Sequence, residues 1–374
     1  MEVLKINNCY LLNFRNFNNL NIRFFEKINV ITGGNAQGKT NILEGVYFSA
    51  KGKSFKSVKE SDLIKIDKRE SFIRTDIESD SLEEKIEVKL SKDSTKVIRI
   101  NENKIDTMQE LRTFFDIVTF IPEDIKIIKE SKSYRRDFMD EVITGVIPSY
   151  NSLLIKYNNI LNQRNYILKY KNKGRYFNEQ LQASTKLLAQ EGAKIMKMRS
   201  KYIGIIEDYA LEIHKSLTRG KETISIIYNG NKQEYDYDII KNSQVLYYQM
   251  EENIDRDLNL GFTSVGPHRD DISIFINDMD SRTFLSQGQQ RTLTLSLKLS
   301  QLRLYDDLKE VSPVILLDDV FSELDRERTN YLLNSIRDYQ SIITSTDSSF
   351  LQDYTGEYRV FELMDNELKV KKFR

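Results

Sequence analysis

The octapeptide GGNAQGKT, Gly33 to Thr40, constrains this chain more than any other feature. It fits G-x-x-x-x-G-K-[ST], with the apolar run INVIT before it and the helix-like TNILEGVYFSA after it, the context a phosphate-binding loop requires. Glycines let the backbone curl so that successive N–H groups face one point, at a helix N-terminus whose dipole favours anions. Gly33, Gly34, Asn35, Ala36, Gln37, Gly38, Lys39, Thr40 and Asn41 are therefore expected to wrap the phosphates of ATP. Lys39 would neutralise the β and γ phosphates, and the Thr40 hydroxyl would ligate Mg²⁺. The competing reading is a glycine turn joining strand to helix.

VILLDDVFSELD, Val314 to Asp325, supplies a partner. Four apolar residues read as a buried strand, with Asp318 at its C-terminal end placed to hold Mg²⁺ through water and Asp319 to polarise an attacking water. Two adjacent carboxylates after a buried strand are costly unless a cation or hydrogen bonds compensate. A helix-capping role is the alternative for Asp319. Asp318 lies 279 positions beyond Lys39 (318 − 39), far more than small P-loop folds allow.

Helical texture fills much of that gap, from Tyr134 to Ser216. Leu181, Leu188, Ile195, Tyr202 and Tyr209 recur every seven residues, with Met198 and Ile205 between them. A turn at KNKGR separates this helix from an earlier one carrying Leu153, Leu154, Tyr157, Ile160, Leu161 and Ile167, so an antiparallel hairpin is expected. The longer helix, about 40 residues, would span roughly 60 Å. Strand patterns occupy the first 121 residues, at EVLKIN, LNIRFF, SFIRTDI, KIEVKL and KVIRIN. They return at TISIIY, DISIFIN, PVILLDD and SIITST, before a closing hairpin in EYRVFELMDNELKVKKF.

Just ahead of the second carboxylate strand, Ser286 and Gln289 form an S-x-x-Q capping box. Leu293, Leu297, Ser300 and Leu304 read as the buried face of the helix it opens. The expected division is an ATPase lobe over 1–121, a largely helical lobe over 122–285, and the rest of the ATPase lobe over 286–374.

Lys+Arg and Asp+Glu both number 56, so any affinity for nucleic acid must come from a local patch. One cysteine and two histidines leave no basis for a disulfide framework or a His/Cys zinc centre. No 18-residue apolar run occurs, and a cytoplasmic protein without membrane contact is expected.

Taken in order, NFRNF, GGNAQGKTNILEGVYF, GKSFKS, IPEDIKIIKESKSYRRDFMD, QRN (Gln163 to Asn165), GPHRDD (Gly266 to Asp271), LSQGQQRT and LLDDVFSELD resemble the bacterial RecF recombination mediator family across almost the whole chain. The resemblance implies an α/β fold: an ABC-type P-loop ATPase head, a mixed-sheet lobe with an inserted lobe carrying the helical hairpin. It also implies a homodimer formed on ATP, with Ser286, Gly288 and Gln289 of the signature loop facing the partner's γ-phosphate and Ser322 to Asp325 forming the D-loop. A slow DNA-stimulated ATPase is expected, with Lys39, Asp318, Asp319 and Ser286 as its catalytic set. The expected partners are single-stranded, duplex and gapped DNA, together with mediators of the RecO and RecR families.

Arg15 is placed near nucleotide or DNA by the resemblance, with a surface salt bridge as the alternative. Lys51, Lys53 and Lys56 fall where such heads bind duplex, Lys56 standing where relatives commonly carry arginine. The usual switch histidine is missing; Thr344, Ser345 and Thr346 follow the corresponding strand. Glu123 stands in for a Q-loop residue. Arg135 and Arg136 could meet phosphate or a partner subunit, or pair with Asp137, Asp140 or Glu141. His268 reads as a structural residue. The competing classes are the nucleotide-binding subunit of an ABC transporter and an SMC-like structural ATPase.

Overall fold

A computed structural model describes residues 2–56, 58–79, 82–170, 176–230, 238–309 and 311–374. The KNKGR turn lies outside them. The chain divides into two compact units, Met1–Asp124 with Tyr305–Arg374, and Ile125–Leu304.

The first unit holds two six-stranded sheets. One runs in the order Glu367–Phe373, Tyr358–Met364, Ile28–Thr32, Ser341–Ser345, Val314–Asp318, Ile117–Phe120. Every neighbouring pair is parallel except the terminal hairpin. Ile28–Thr32, Val314–Asp318 and Ser341–Ser345 are buried at every position, as expected of strands covered on both faces. Asp365 and Asn366 turn the hairpin with positive φ at both positions, the geometry that favours these residues. The other sheet, Phe17–Arg23, Lys5–Phe14, Glu70–Ser79, Leu82–Ser91, Val97–Ile100 and Asn103–Lys104, is antiparallel throughout. Helix Lys39–Lys51 packs against strands of both sheets and is buried continuously from Ile42 to Ala50. At Gly45 a Cβ would lie 2.6 Å from Leu11 Cδ2, so a larger residue there must displace the Leu11 side chain.

In the second unit, helices Pro148–Tyr170 and Phe177–Leu217 pair antiparallel: Lys156 meets Glu191 while Arg164 meets Thr185. The longer helix has 41 residues. Leu181, Leu188, Ile195 and Tyr202 are buried, but beyond them the buried face passes to Ile206, Ala210, Ile213 and Leu217, leaving Ile205 and Tyr209 partly exposed. A helix of 3.6 residues per turn drifts off a seven-residue repeat by about 20° per heptad unless it supercoils. Strands Ile224–Asn229, Asp271–Ile276 and Met279–Asp280 form a small antiparallel sheet. Helices Ile239–Glu252 and Ile254–Leu260, which the sequence patterns left unassigned, join this unit.

Ser286–Leu304 falls in the second unit, so the unit boundary lies inside helix Gln287–Leu308 where the sequence reading drew it at 285/286. The reason is contact: Gln289 Nε2 donates to Glu222 (2.9 Å), and Ser296 Oγ meets His214 Nδ1 (3.0 Å). Among the described residues no helix is long and apolar enough to cross a membrane.

Candidate functional site: the phosphate loop and its carboxylates

Residues 33–38 bridge strand Ile28–Thr32 and helix Lys39–Lys51 through a run of constrained backbone. Gly33 (φ 156°), Ala36 (φ 63°) and Gly38 (φ 100°) all have positive φ. A Cβ at Gly33 would lie 2.4 Å from Gln37 Oε1 and 2.7 Å from the Leu363 carbonyl, and one at Gly38 would strike the Asn16 amide at 2.5 Å. Only glycine satisfies both positions. Lys39 folds back over the loop, its Nζ donating to the carbonyls of Gly33 and Gly34 (2.8 Å each). Burial pulls the Lys39 ammonium below the usual lysine range, while Asp319 and Asp318 pull it back up.

At the floor of the loop the Thr40 hydroxyl donates to Asp318 Oδ1 (2.8 Å), which also accepts from Thr344 Oγ1 (2.6 Å). Thr344, noted in the sequence only as standing near the missing histidine, thus holds the carboxylate. Asp319 follows at φ 51°, fixed by its backbone N–H to the Thr344 carbonyl (3.1 Å). Its Oδ1 is buried and has no hydrogen-bond partner. A non-glycine residue in the left-handed region with an orphaned acceptor stores strain and acceptor capacity at one point. The set fits a phosphate chain with one hard cation. Thr40 and Asp318 supply two oxygen donors side by side, and a magnesium site completes its shell with phosphate and water. No cluster of three or more His, Cys, Asp or Glu able to hold a metal occurs among the described residues, so this pair is not part of an all-protein cage.

Asn16 was missed by the sequence reading. Its Nδ2 donates to the Gln37 carbonyl (3.0 Å), and its Oδ1 accepts from Asn41 (2.8 Å), clamping the loop from the neighbouring sheet. Nothing in the local pattern NFRNF marks it, because the contact is made across the fold. Arg15 turns elsewhere. Its guanidinium forks onto fully buried Glu44 (2.8 and 2.7 Å) and reaches the Asp62 carbonyl, a salt bridge as in the alternative reading but turned inward and not on the surface. Lys51 is likewise engaged, 3.8 Å from Asp116. Lys53 is exposed, and Lys56 is half-buried beside Phe55. Glu123 sits in the single turn Pro122–Ile125 after the edge strand.

In the second unit the expected capping box forms. Ser286 N donates to Gln289 Oε1 (3.0 Å) and Gln289 N to Ser286 Oγ (3.3 Å). Leu293, Leu297, Ser300 and Leu304 are all fully buried. Ser286, Gln287 and Gly288 are exposed, a Cβ at Gly288 would meet nothing within 4 Å, and Phe284 is 65% exposed. Ser322 and Glu323 are exposed too, and Asp325 caps helix Arg326–Ser335.

RRDFMD and GPHRDD lock into each other. Arg135 forks onto Asp271 (2.7 and 3.0 Å) and Arg136 donates to the Asp270 carbonyl (2.9 Å), while Asp137, one of the partners named from sequence, acts on Arg136 through space. Asp140 instead holds Arg199 (3.0 and 2.9 Å) and Tyr150. Buried Asp270 accepts from Tyr228, and burial raises its pKa. His268 bonds Tyr157 and the Thr263 carbonyl (2.7 and 3.0 Å), a structural role; burial lowers its pKa to about 4. Arg164 of QRN is fully buried against Asp257, Thr263 and Thr185.

A model of the RecF/RecN/SMC N terminal domain matches residues 5–369. The DNA replication and repair protein RecF of Clostridium acetobutylicum is 41% identical over 359 residues, covering 96% of this chain and 97% of that one. Its counterpart in Clostridium perfringens strain SM101 is 40% identical over 365 residues, 97% of this chain and 99% of the other. Among solved structures, the recombination mediator RecF-ATP of the RecFOR pathway is similar at a TM-score of 0.90 and 35% identity, covering 99% and 100% of the two chains. An Smc head domain from Pyrococcus furiosus shares the fold at a TM-score of 0.59 and 15% identity, over 98% and 96%. Fold and site together define an ABC-type ATPase head of the RecF and SMC kind. Within that class, the chain belongs to the RecF family of DNA replication and repair proteins.

Proposed function

We propose that this chain is an ATP-controlled clamp of recombinational repair: it dimerises on ATP and binds DNA where single strand meets duplex. It hydrolyses ATP slowly as a release step, with RecO- and RecR-type mediators loading recombinase beside it. The observation that carries the reading is the exposed start of helix Gln287–Leu308. Ser286, Gln287 and Gly288 stand open to solvent beside exposed Phe284, an anion-ready helix terminus with room for a second subunit.

The loop amides and Lys39 hold the phosphates, and Asn16 keeps the loop in register. Thr40 and Asp318 would hold Mg²⁺, which shields phosphate charge during transfer. Asp319 turns its unpartnered Oδ1 to the attacking water and takes its proton. Ser286 and the first amides of its helix receive the γ-phosphate of the partner's nucleotide, so ADP does not close the dimer. Lys53 and Lys56 contact DNA phosphates, which makes binding insensitive to sequence and steeply weakened by salt.

The test is complementation between two inactive variants. Lys39→Ala lacks a working phosphate loop, and Ser286→Arg lacks a working signature loop. Their mixture forms heterodimers with one intact composite site, and ATPase activity returns in part. Crosslinked heterodimers that stay inactive would refute the shared site. So would an ATP-induced dimer fraction in sedimentation equal to that with ADP.

A further inference from the structure

Helix Pro148–Tyr170 offers an outer face that the clamp reading does not use. Between Glu141 and Glu179 the sequence contains no carboxylate side chain, although 56 of the 374 residues are Asp or Glu. The exposed positions near the end of the helix are Asn158, Asn159, Asn162, Gln163, Tyr166, Lys169 and Tyr170. Tyr166 and Tyr170 are 63% and 57% exposed. Their centroids lie 4.5 Å apart with the rings inclined at 45°, and the Lys169 ammonium stands 5.7 Å from the Tyr170 centroid.

We infer that this face binds single-stranded nucleic acid, with bases stacking on Tyr166 and Tyr170 and phosphates drawn to Lys169. Each part has a counterpart in that ligand. Though packed against each other, the two tyrosines keep more than half of their surface exposed for bases of any identity to stack on. The side-chain amides of Asn159, Asn162 and Gln163 both donate and accept, as base edges do. The helix itself sets no carboxylate along a phosphate backbone, the exposed acid on the adjoining helix Ile254–Leu260 being Asp255, and Lys169 adds attraction. Duplex DNA hides the flat faces of its bases and leaves the two rings no role. A protein partner docking by apolar contact would find a face dominated by amides. Tyr166 and Tyr170 stand four residues apart, about 6 Å along the axis, a spacing an extended strand can span.

The inference deepens the DNA-binding part of the reading above and rests on it for the kind of polymer, but it does not require the composite ATP site. Its test uses the full chain, a fluorescent oligothymidylate and a duplex of equal length, followed by anisotropy. Tyr166→Ala with Tyr170→Ala weakens oligothymidylate binding about tenfold or more, leaves duplex affinity within about twofold, and leaves the melting temperature unchanged because both rings are exposed. Tyr166→Phe with Tyr170→Phe keeps the oligothymidylate affinity. Photocrosslinking of an iodouracil oligonucleotide labels peptides of this helix. Unchanged oligothymidylate affinity in the alanine variant overturns the inference, as does no binding by the parent protein, an equal loss on duplex, or crosslinks confined to other elements. An alanine variant that binds oligothymidylate normally but loses a mediator protein assigns the face to protein docking and overturns it as well. If ATP fails to dimerise the chain while these oligothymidylate results hold, the clamp reading falls and this one stands.

Discussion

Two Asp-Asp pairs occur at comparable places, each beside a strand, and they are put to opposite uses. In Asp270–Asp271 the cation sits on Asp271, while the Asp270 carboxylate is sealed in the interior with one oxygen unpartnered. Arg135 forks onto Asp271, Arg136 reaches the Asp270 carbonyl, and Tyr228 donates to the Asp270 carboxylate. Asp318–Asp319 is held by hydroxyls: Thr40 and Thr344 donate to Asp318, while Lys39 acts on the pair through space. A carboxylate neutralised by arginine has little left to give a ligand. One held by hydroxyl groups has no arginine against it, and its electrostatic cost falls when a cation arrives. The dipeptide is therefore uninformative by itself; the residue types facing it decide between brace and site.

Breaking the closed pair should cost the most. Arg135→Ala leaves Asp271 facing a vacated buried pocket, and unfolding in urea should show a loss of about 4 kcal/mol. A loss under about 1 kcal/mol would mean that the brace is not structural. Next comes its titration. Burial holds His268 at about 4 against an ordinary 6.5, with Arg269, Arg136 and Arg199 adding repulsion and the Thr263 carbonyl opposing. The unfolded chain takes up this proton first. Stability is therefore full above pH 6.5 and falls as pH drops from 6.5 to 4, by up to about 3 kcal/mol. The raised Asp270 works in the other direction at the acid end. Comparing parent with His268→Gln isolates the histidine, and identical slopes for the two would remove the assignment.

The open pair should respond in activity. Asp319→Asn lowers ATP turnover about 100-fold, near 2.7 kcal/mol in barrier, while urea unfolding shows no loss of stability. A variant that unfolds early would place Asp319 with the braces. Smallest is Asn16→Ala, which removes the clamp on the Gln37 carbonyl; nucleotide titration should show about fivefold weaker binding, near 1 kcal/mol. Unchanged affinity would show that the glycines alone hold the loop.

What could be read in advance follows the same division. The phosphate loop, the strand before Asp318 and the Ser286 capping box are written within a few neighbouring residues, so pattern and propensity reach them. Asn16, Thr344 and the Arg135–Asp271 fork are pairings across the fold, the last over 136 positions, and no local pattern names the partner. Arg15 shows the reverse failure: the motif around it is legible, but its guanidinium is engaged by Glu44, which reads as an ordinary helix residue. The helix at Ile239–Glu252 did carry a signal, the Asp238 side chain accepting from Ile240 and Lys241 N–H. Weak apolar periodicity hid it.

If the start of helix Gln287–Leu308 takes a partner's phosphate as proposed, the capping box at Ser286 would also work as a filter. The Ser286 hydroxyl already accepts from the Gln289 backbone N–H and the Gln289 side-chain oxygen from the Ser286 N–H, so any anion taking their place must first overcome a bond worth about 1 kcal/mol. Free phosphate or sulfate arrives with its full translational entropy still to lose and gains little from the exchange. A phosphate already immobilised on a neighbouring subunit has lost that freedom beforehand. In the proposed clamp the loop would then ignore stray anions and answer to one delivered in a fixed pose, which would tie recognition to assembly and not to concentration.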